Sequence, residues 1–221
     1  MPVLYLHGFA SGPSSRKARF FREQFSDRGI ACVVPDLNYP SFFDMTLNSQ
    51  LALVRQEAQA LRERFDEKLI LIGSSMGGLL AAMLSEEIDF VEKMYLLAPG
   101  FGITARWQNL IGEEGLMEWQ KLNQRFFFHY ATGKEEPLSW HFAEDLSCSK
   151  MASTRPEEIR IAVATHIFHG LNDATVPFDN SKLLAENNRN TVTLTALEDG
   201  HELAESLPQV WQAISSELHL N

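Results

Sequence analysis

The run Gly73-Ser74-Ser75-Met76-Gly77-Gly78 follows directly on Leu69-Ile70-Leu71-Ile72. Gly73, Ser75 and Gly77 have the Gly-x-Ser-x-Gly spacing that carries a serine on a sharp strand-to-helix turn, with glycines where side chains would collide. A serine held there can attack an electrophilic carbon if a base takes its proton. The spacing alone is weak, since average composition produces it by chance in roughly one chain of this length in ten. Its context is stronger: an aliphatic strand precedes it, and an alanine- and leucine-rich helix to about Glu86 follows. The competing reading is a tight helix–sheet turn in which Ser75 is a small filler. Ser74 holds the variable position of the motif and is not expected at the apex.

A base must come from His7, His129, His141, His166, His169, His201 or His219. His201 combines a late position with a loop, Leu197-Glu198-Asp199-Gly200-His201-Glu202, directly after the last expected strand, Thr191 to Ala196. An acid that orients this imidazole must accept from Nδ1–H and remain ionised. Asp173 meets the positional demand, because His169-Gly170-Leu171-Asn172-Asp173 follows the expected strand Thr165 to Phe168. It could equally organise its own loop as an Asx-turn. Asp199 is too near His201 in one turn to grip the ring, and Asp179 is expected to start a helix.

A developing oxyanion needs N–H donors. Met76 supplies one at the start of the helix after Ser75, where the dipole favours negative charge. His7-Gly8-Phe9 ends the first expected strand, Val3 to Leu6, and offers the backbone N–H of Phe9, helped by that of Ala10. His7 itself reads as a brace for that loop.

These loops imply a sheet that brings them to one edge. Short apolar runs alternate with helical periodicity, which predicts an α/β fold: a predominantly parallel sheet of about six strands with helices on both faces. Helices are expected over Arg16 to Arg28, with Gly29 as its C-cap, within Asp44 to Phe65, and over about Leu203 to Leu218. Further strands are expected at Ile30 to Val34, Lys68 to Ile72 and Met94 to Ala98. Ligands bind at the carboxyl edge of such sheets. From Ala98 to Thr165 the chain exceeds the ~30 residues of a simple crossover, so an insertion at about 100–160 is expected to act as a cap on a single domain, 1–221. It carries Trp107, Trp119, Phe126, Phe127, Phe128, Tyr130, Trp140 and Phe142, and Ala131-Thr132-Gly133-Lys134 could turn a hairpin.

The 221 residues carry a formal net charge of -10, which opposes a nucleic-acid backbone or an anionic membrane as partner. A small neutral or apolar substrate fits better. No run approaches the ~18 apolar residues of a membrane span, and Met1-Pro2-Val3-Leu4 has no basic n-region, so no stable membrane insertion and a cytoplasmic location are expected. The 2 cysteines, Cys32 and Cys148, make a disulfide framework improbable. Neither a cofactor nor a metal is implied, because the histidines lack paired ligand spacing. Oligomeric state is not encoded legibly.

Taken together, His7-Gly8-Phe9, the Gly73 to Gly78 turn, His169-Gly170-x-x-Asp173-x-x-Val176-Pro177 and Asp199-Gly200-His201 resemble the α/β-hydrolase superfamily over essentially the whole chain. Within it the sequence looks most like the small bacterial YqiA-type esterases, since the strand to His7-Gly8-Phe9 begins at the first residues. The resemblance implies a cofactor-free ester or thioester hydrolase whose nucleophile, acid and base map onto Ser75, Asp173 and His201. A peptidase or acyltransferase on the same triad stays open, as does a non-catalytic binding protein of this fold.

Overall fold

In a computed structural model, which describes residues 1–220, the aliphatic runs form strands whose side chains are largely buried on both faces. β1 (Val3–Leu6) leads to α1 (Arg16–Ser26), β2 (Cys32–Val33), α2 (Leu47–Phe65), β3 (Leu69–Ser74), α3 (Met76–Glu87) and β4 (Val91–Leu97). The insertion follows: α4 (Ile103–Leu122), a hairpin of β5 (Arg125–His129) and β6 (Lys134–Leu138), α5 (Trp140–Cys148) and α6 (Lys150–Ser153). The chain then returns through β7 (Thr165–Gly170), α7 (Phe178–Asn187), β8 (Val192–Leu197) and α8 (Leu207–Glu217).

Six strands form one parallel sheet in the order β2-β1-β3-β4-β7-β8, and the fold is that of the α/β hydrolases. Alternation along each strand divides the core. Val3, Tyr5, Ile70, Ile72, Tyr95 and Leu97 meet Phe21 and Phe25 of α1 and Val210 and Ile214 of α8. Leu4, Leu6, Leu71, Met94 and Leu96 belong to a second cluster with Val54, Ala58 and Leu61 of α2 and Leu80 and Leu84 of α3. Helices cover both faces as the sequence predicts.

The boundaries differ where local bonds overrule apolar pattern. α1 stops at Ser26, and Gly29 turns the chain three residues later at φ 68°, letting the Ile30 N–H reach Phe25 O. β2 is two residues, shorter than Ile30 to Val34, because this edge strand has a single neighbour, β1. α2 begins at Leu47 because Thr46 and Ser49 form a reciprocal capping box. The last helix begins at Leu207, not Leu203, which turns at φ 51°. Cys32 is half-buried, and burial pushes its thiol up to about 12.

The insertion packs by aromatic contact. Trp119 and Phe142 are fully enclosed, and the Trp119 indole N–H donates to Leu138 O at 2.9 Å. Gly133, at φ 69°, turns the hairpin at the expected place. Among the described residues no helix is long and apolar enough to cross a membrane.

Candidate active site

The turn at Ser75 is forced by steric exclusion. A Cβ on Gly77 would lie 2.1 Å from Leu6 O, and one on Gly73 would lie 2.4 Å from Gly77 O, so neither position accepts a side chain without moving backbone. Ser75 takes φ 53° and ψ -118°, a strained conformation for a residue with a Cβ. The strain is held by the neighbouring strand: the Ser75 N–H donates to Leu97 O at 2.9 Å, and Ser75 O accepts from Gly100 N at 2.8 Å. Ser74 is buried at the end of β3, away from the apex.

β1 and β3 are paired neighbours, so the loop after Leu6 arrives beside this turn. A Cβ on Gly8 would stand 3.3 Å from Ser75 Cβ, close enough that glycine is what lets the two loops meet. His7 braces the loop: its Nε2 accepts from Leu37 N–H at 2.9 Å, which leaves Nδ1–H to donate to Gly8 O at 2.9 Å. The N–H groups of Phe9 and Met76 make no hydrogen bond among the described residues outside the regular helices and strands. Two donors are therefore open in the two loops that flank the serine.

Gly170 does for Asp173 and His201 what Gly8 does for Ser75. The 199–201 loop crosses directly over it, with Asp199 O 2.3 Å from where a Cβ would be, and Asn172 N–H donates to Asp199 O at 3.0 Å. This crossing puts His201 Nδ1 2.7 Å from Asp173 Oδ2. Asp173 also organises its loop, since Oδ1 accepts from the N–H groups of Thr175 and Val176, each at 2.7 Å. One oxygen of Asp173 thus serves its own loop and the other the His201 ring. Burial alone would raise the carboxyl's pKa, but donors from His169, His201 and Val176 outweigh it and hold the group well below the usual carboxylate range. Asp199 serves its own turn by accepting from Gly200, Glu205 and Ser206 N–H groups.

Ser75 Oγ and His201 Nε2 make no hydrogen bond with one another, and neither atom has another partner among the described residues. The bond between His201 and Asp173 is formed, and none joins Ser75 to His201.

Two neighbours of the site, His169 and Lys17, escaped the sequence reading, and Phe9 was read for its backbone N–H but not for its ring. His169 is fully buried against Asp173. Lys17, 8 % exposed, reaches Glu202 at 3.0 Å and so tethers the residue next to His201. Burial lowers its pKa, partly offset by that partner. Phe9 turns its ring into the insertion, 5.1 Å from Trp107 and 5.3 Å from Phe127, both edge-on. Beside it opens a cleft of about 420 Å³ lined by Phe9, Trp107, Leu110, Ile111, Arg125 and Phe126 to Phe128. The hairpin closes onto the same loop through the Tyr130 N–H, which donates to Ala10 O at 2.7 Å. Among the described residues no group of three His, Cys, Asp or Glu side chains is placed to hold a metal.

Comparison with known proteins agrees with this architecture. Est1E from Butyrivibrio proteoclasticus, solved with ferulic acid bound, superposes with a TM-score of 0.78 at 19 % identity, covering 99 % of this chain and 88 % of that one. The mouse α/β hydrolase domain-containing protein 10 gives 0.73 at 16 % identity, covering 99 % and 88 %. An esterase of Pyrococcus furiosus gives 0.66 at 16 % identity, covering 98 % and 80 %. No curated protein sequence matches. The model of the uncharacterised protein family UPF0227 matches residues 2–216, and the chain belongs to that family.

Proposed function

We propose that this protein is a serine hydrolase that cleaves an acyl ester or thioester through an acyl-enzyme, acting as a carboxylesterase. The observation that carries the reading is the 2.7 Å bond between His201 Nδ1 and the buried Asp173, at the same sheet edge as the strained Ser75. That bond fixes the proton on Nδ1 and leaves Nε2 as the base.

Ser75 Oγ attacks the acyl carbonyl carbon while His201 Nε2 takes the hydroxyl proton. The carbonyl oxygen becomes an oxyanion, which the N–H groups of Phe9 and Met76 receive. Collapse expels the alcohol or thiol, to which His201 returns the proton, and Ser75 is left acylated. Water attacks next, His201 again acting as base, and the carboxylic acid leaves.

The acyl group fits the aromatic cleft, because Phe9 belongs both to its wall and to the oxyanion loop. Its volume of about 420 Å³ suits a group larger than acetyl. The ferulic acid held by Est1E favours an aromatic acyl group as the first class to test. The net charge of -10 supports a substrate other than nucleic acid.

A fluorophosphonate probe tests the reading together with 4-nitrophenyl esters of increasing acyl length. The native protein is expected to label and hydrolyse, and Ser75→Ala to do neither while keeping its fold. Equal hydrolysis by Ser75→Ala would reject the assignment.

A further inference from the structure

His169 is a buried imidazole that the mechanism above leaves without a task. It lies at the end of β7, fully enclosed, with Phe178 edge-on at 5.7 Å. Nε2 is 3.0 Å from Val176 O and 3.1 Å from Asp173 Oδ2, the oxygen that also receives His201. Two acceptors at one nitrogen require that nitrogen to carry the proton, so Nδ1 is the acceptor and the Ser181 hydroxyl donates to it at 2.7 Å. The resulting chain runs from Ser181 Oγ–H to His169 to the edge of the carboxylate.

Val176 closes this arrangement from the other side. Its carbonyl is held by His169 and its N–H holds Asp173 Oδ1. Asp173 is thus held at Oδ1 by a residue that His169 fixes, while Oδ2 bonds His201 and lies 3.1 Å from His169 Nε2. An N–H group centred 3.1 Å from that oxygen, its hydrogen directed at Val176 O, still draws the carboxylate's negative charge away from His201.

We propose that His169 is a positioning residue for the Asp173–His201 pair, a second imidazole that fixes the carboxylate and divides its charge, and thereby sets how far into acid His201 still works as a base. The inference rests on the hydrolase reading. Removing the His169 N–H returns charge to Oδ2, which then favours the His201 imidazolium more strongly. The acidic limb of activity must therefore move to higher pH. The other charges acting on this carboxylate are Lys17 and Arg106, with Glu202 and Asp199 around Lys17. Ser181 and Phe178 from α7, and Ala196 opposite His169 on β8, bring no charge of their own.

The test is a pH profile of 4-nitrophenyl ester hydrolysis for the native protein, His169→Leu, His169→Gln and Ser181→Ala, each with circular dichroism and fluorophosphonate labelling. His169→Leu is expected to move the acidic limb of kcat/KM up by about half a pH unit, or roughly threefold in activity on that limb. Its kcat should fall about tenfold with KM unchanged, as loss of alignment demands. His169→Gln, whose amide N–H can replace the imidazole N–H between Val176 O and Asp173 Oδ2, should recover most of the limb. Ser181→Ala should give a smaller shift of the same sign. A uniform loss at every pH, with no recovery in Gln, would make His169 a packing residue and overturn the proposal. If His169→Leu does not fold, an unshifted limb in Ser181→Ala overturns it equally. A native protein that neither labels nor hydrolyses rejects the hydrolase reading first, whereas a labelled native protein with unshifted variants rejects this inference alone.

Discussion

The Phe9 ring stands edge-on to Trp107 with centroids 5.1 Å apart, which ties the loop after β1 to the helix that opens the insertion. Trp107 also stacks on Phe127 at 5.5 Å. Trp107→Ala would remove both contacts and widen the cleft. It is expected to cost about 2 kcal/mol of stability. Because the same ring walls the cleft, kcat/KM should fall about tenfold more for a long or aromatic acyl ester than for acetyl. Urea denaturation and an acyl-length panel check the two halves separately, and an equal loss on every ester would remove the cleft from substrate selection.

Gly77 has no room for a methyl group, with Leu6 O 2.1 Å from the ideal Cβ position. Gly77→Ala must push β1 from α3, moving the loop that carries Phe9 relative to Ser75. The expected outcome is a loss of about 2 to 4 kcal/mol and at least a hundredfold in kcat. Gly29→Ala is the contrast, since nothing lies within 4 Å of its Cβ and only the positive φ is penalised. Its expected cost is about 1 kcal/mol, with kcat unchanged. Thermal denaturation and ester turnover of the two variants check the difference.

What the sequence made legible was the placing of candidate side chains at strand ends. Ser75, Asp173 and His201 each follow an aliphatic run that could be recognised by itself, and a parallel sheet sends all such ends to one edge. His169 was not legible for the complementary reason. It lies inside β7, where a histidine has no local mark of whether it faces a carboxylate or fills space, and its partners Ser181 and Val176 are fixed only by the return of α7. The insertion announced itself by length and aromatic content, and Gly133 marked its hairpin. That Trp119 would be enclosed while Phe126 and Phe128 remain exposed depends on packing between elements, which no periodicity within five residues of β5 can encode. Lys17 falls in the same class, because the partner that explains its burial is 185 positions away.

Asp173→Asn tests the acid–base link directly. The amide can keep accepting through its oxygen, but its NH2 group facing either imidazole favours the wrong tautomer. A kcat loss of roughly 10³- to 10⁴-fold is expected, with the secondary structure retained. The loss should be smaller than that of Ser75→Ala, and any activity that survives should rise with pH. Stopped-flow acylation by a 4-nitrophenyl ester is the suitable measurement, and a variant with native kcat would detach Asp173 from the site.

A last prediction concerns the opposite edge of the sheet, where Glu217 at the end of α8 meets His166 Nδ1 at 2.6 Å and Lys93 Nζ at 2.5 Å. His166 Nε2 is held in turn by Thr195 Oγ1 at 2.8 Å. Burial would raise the Glu217 carboxyl's pKa, but Lys93 and His166 outweigh it and hold the group below its ordinary value. A carboxylate depressed on folding stabilises the fold fully above its unfolded pKa of about 4.3, and that contribution disappears as pH falls through the lower folded value. Glu217→Gln should therefore cost about 1 kcal/mol at neutral pH, and the gap from the native protein should close as the solution is acidified below about pH 4. Turnover should not change, since the three residues sit at the far ends of β4, β7 and α8 from Ser75. Thermal denaturation across pH checks the closing gap, and a constant difference down to pH 3 would mean that Glu217 acts through packing and not through its charge.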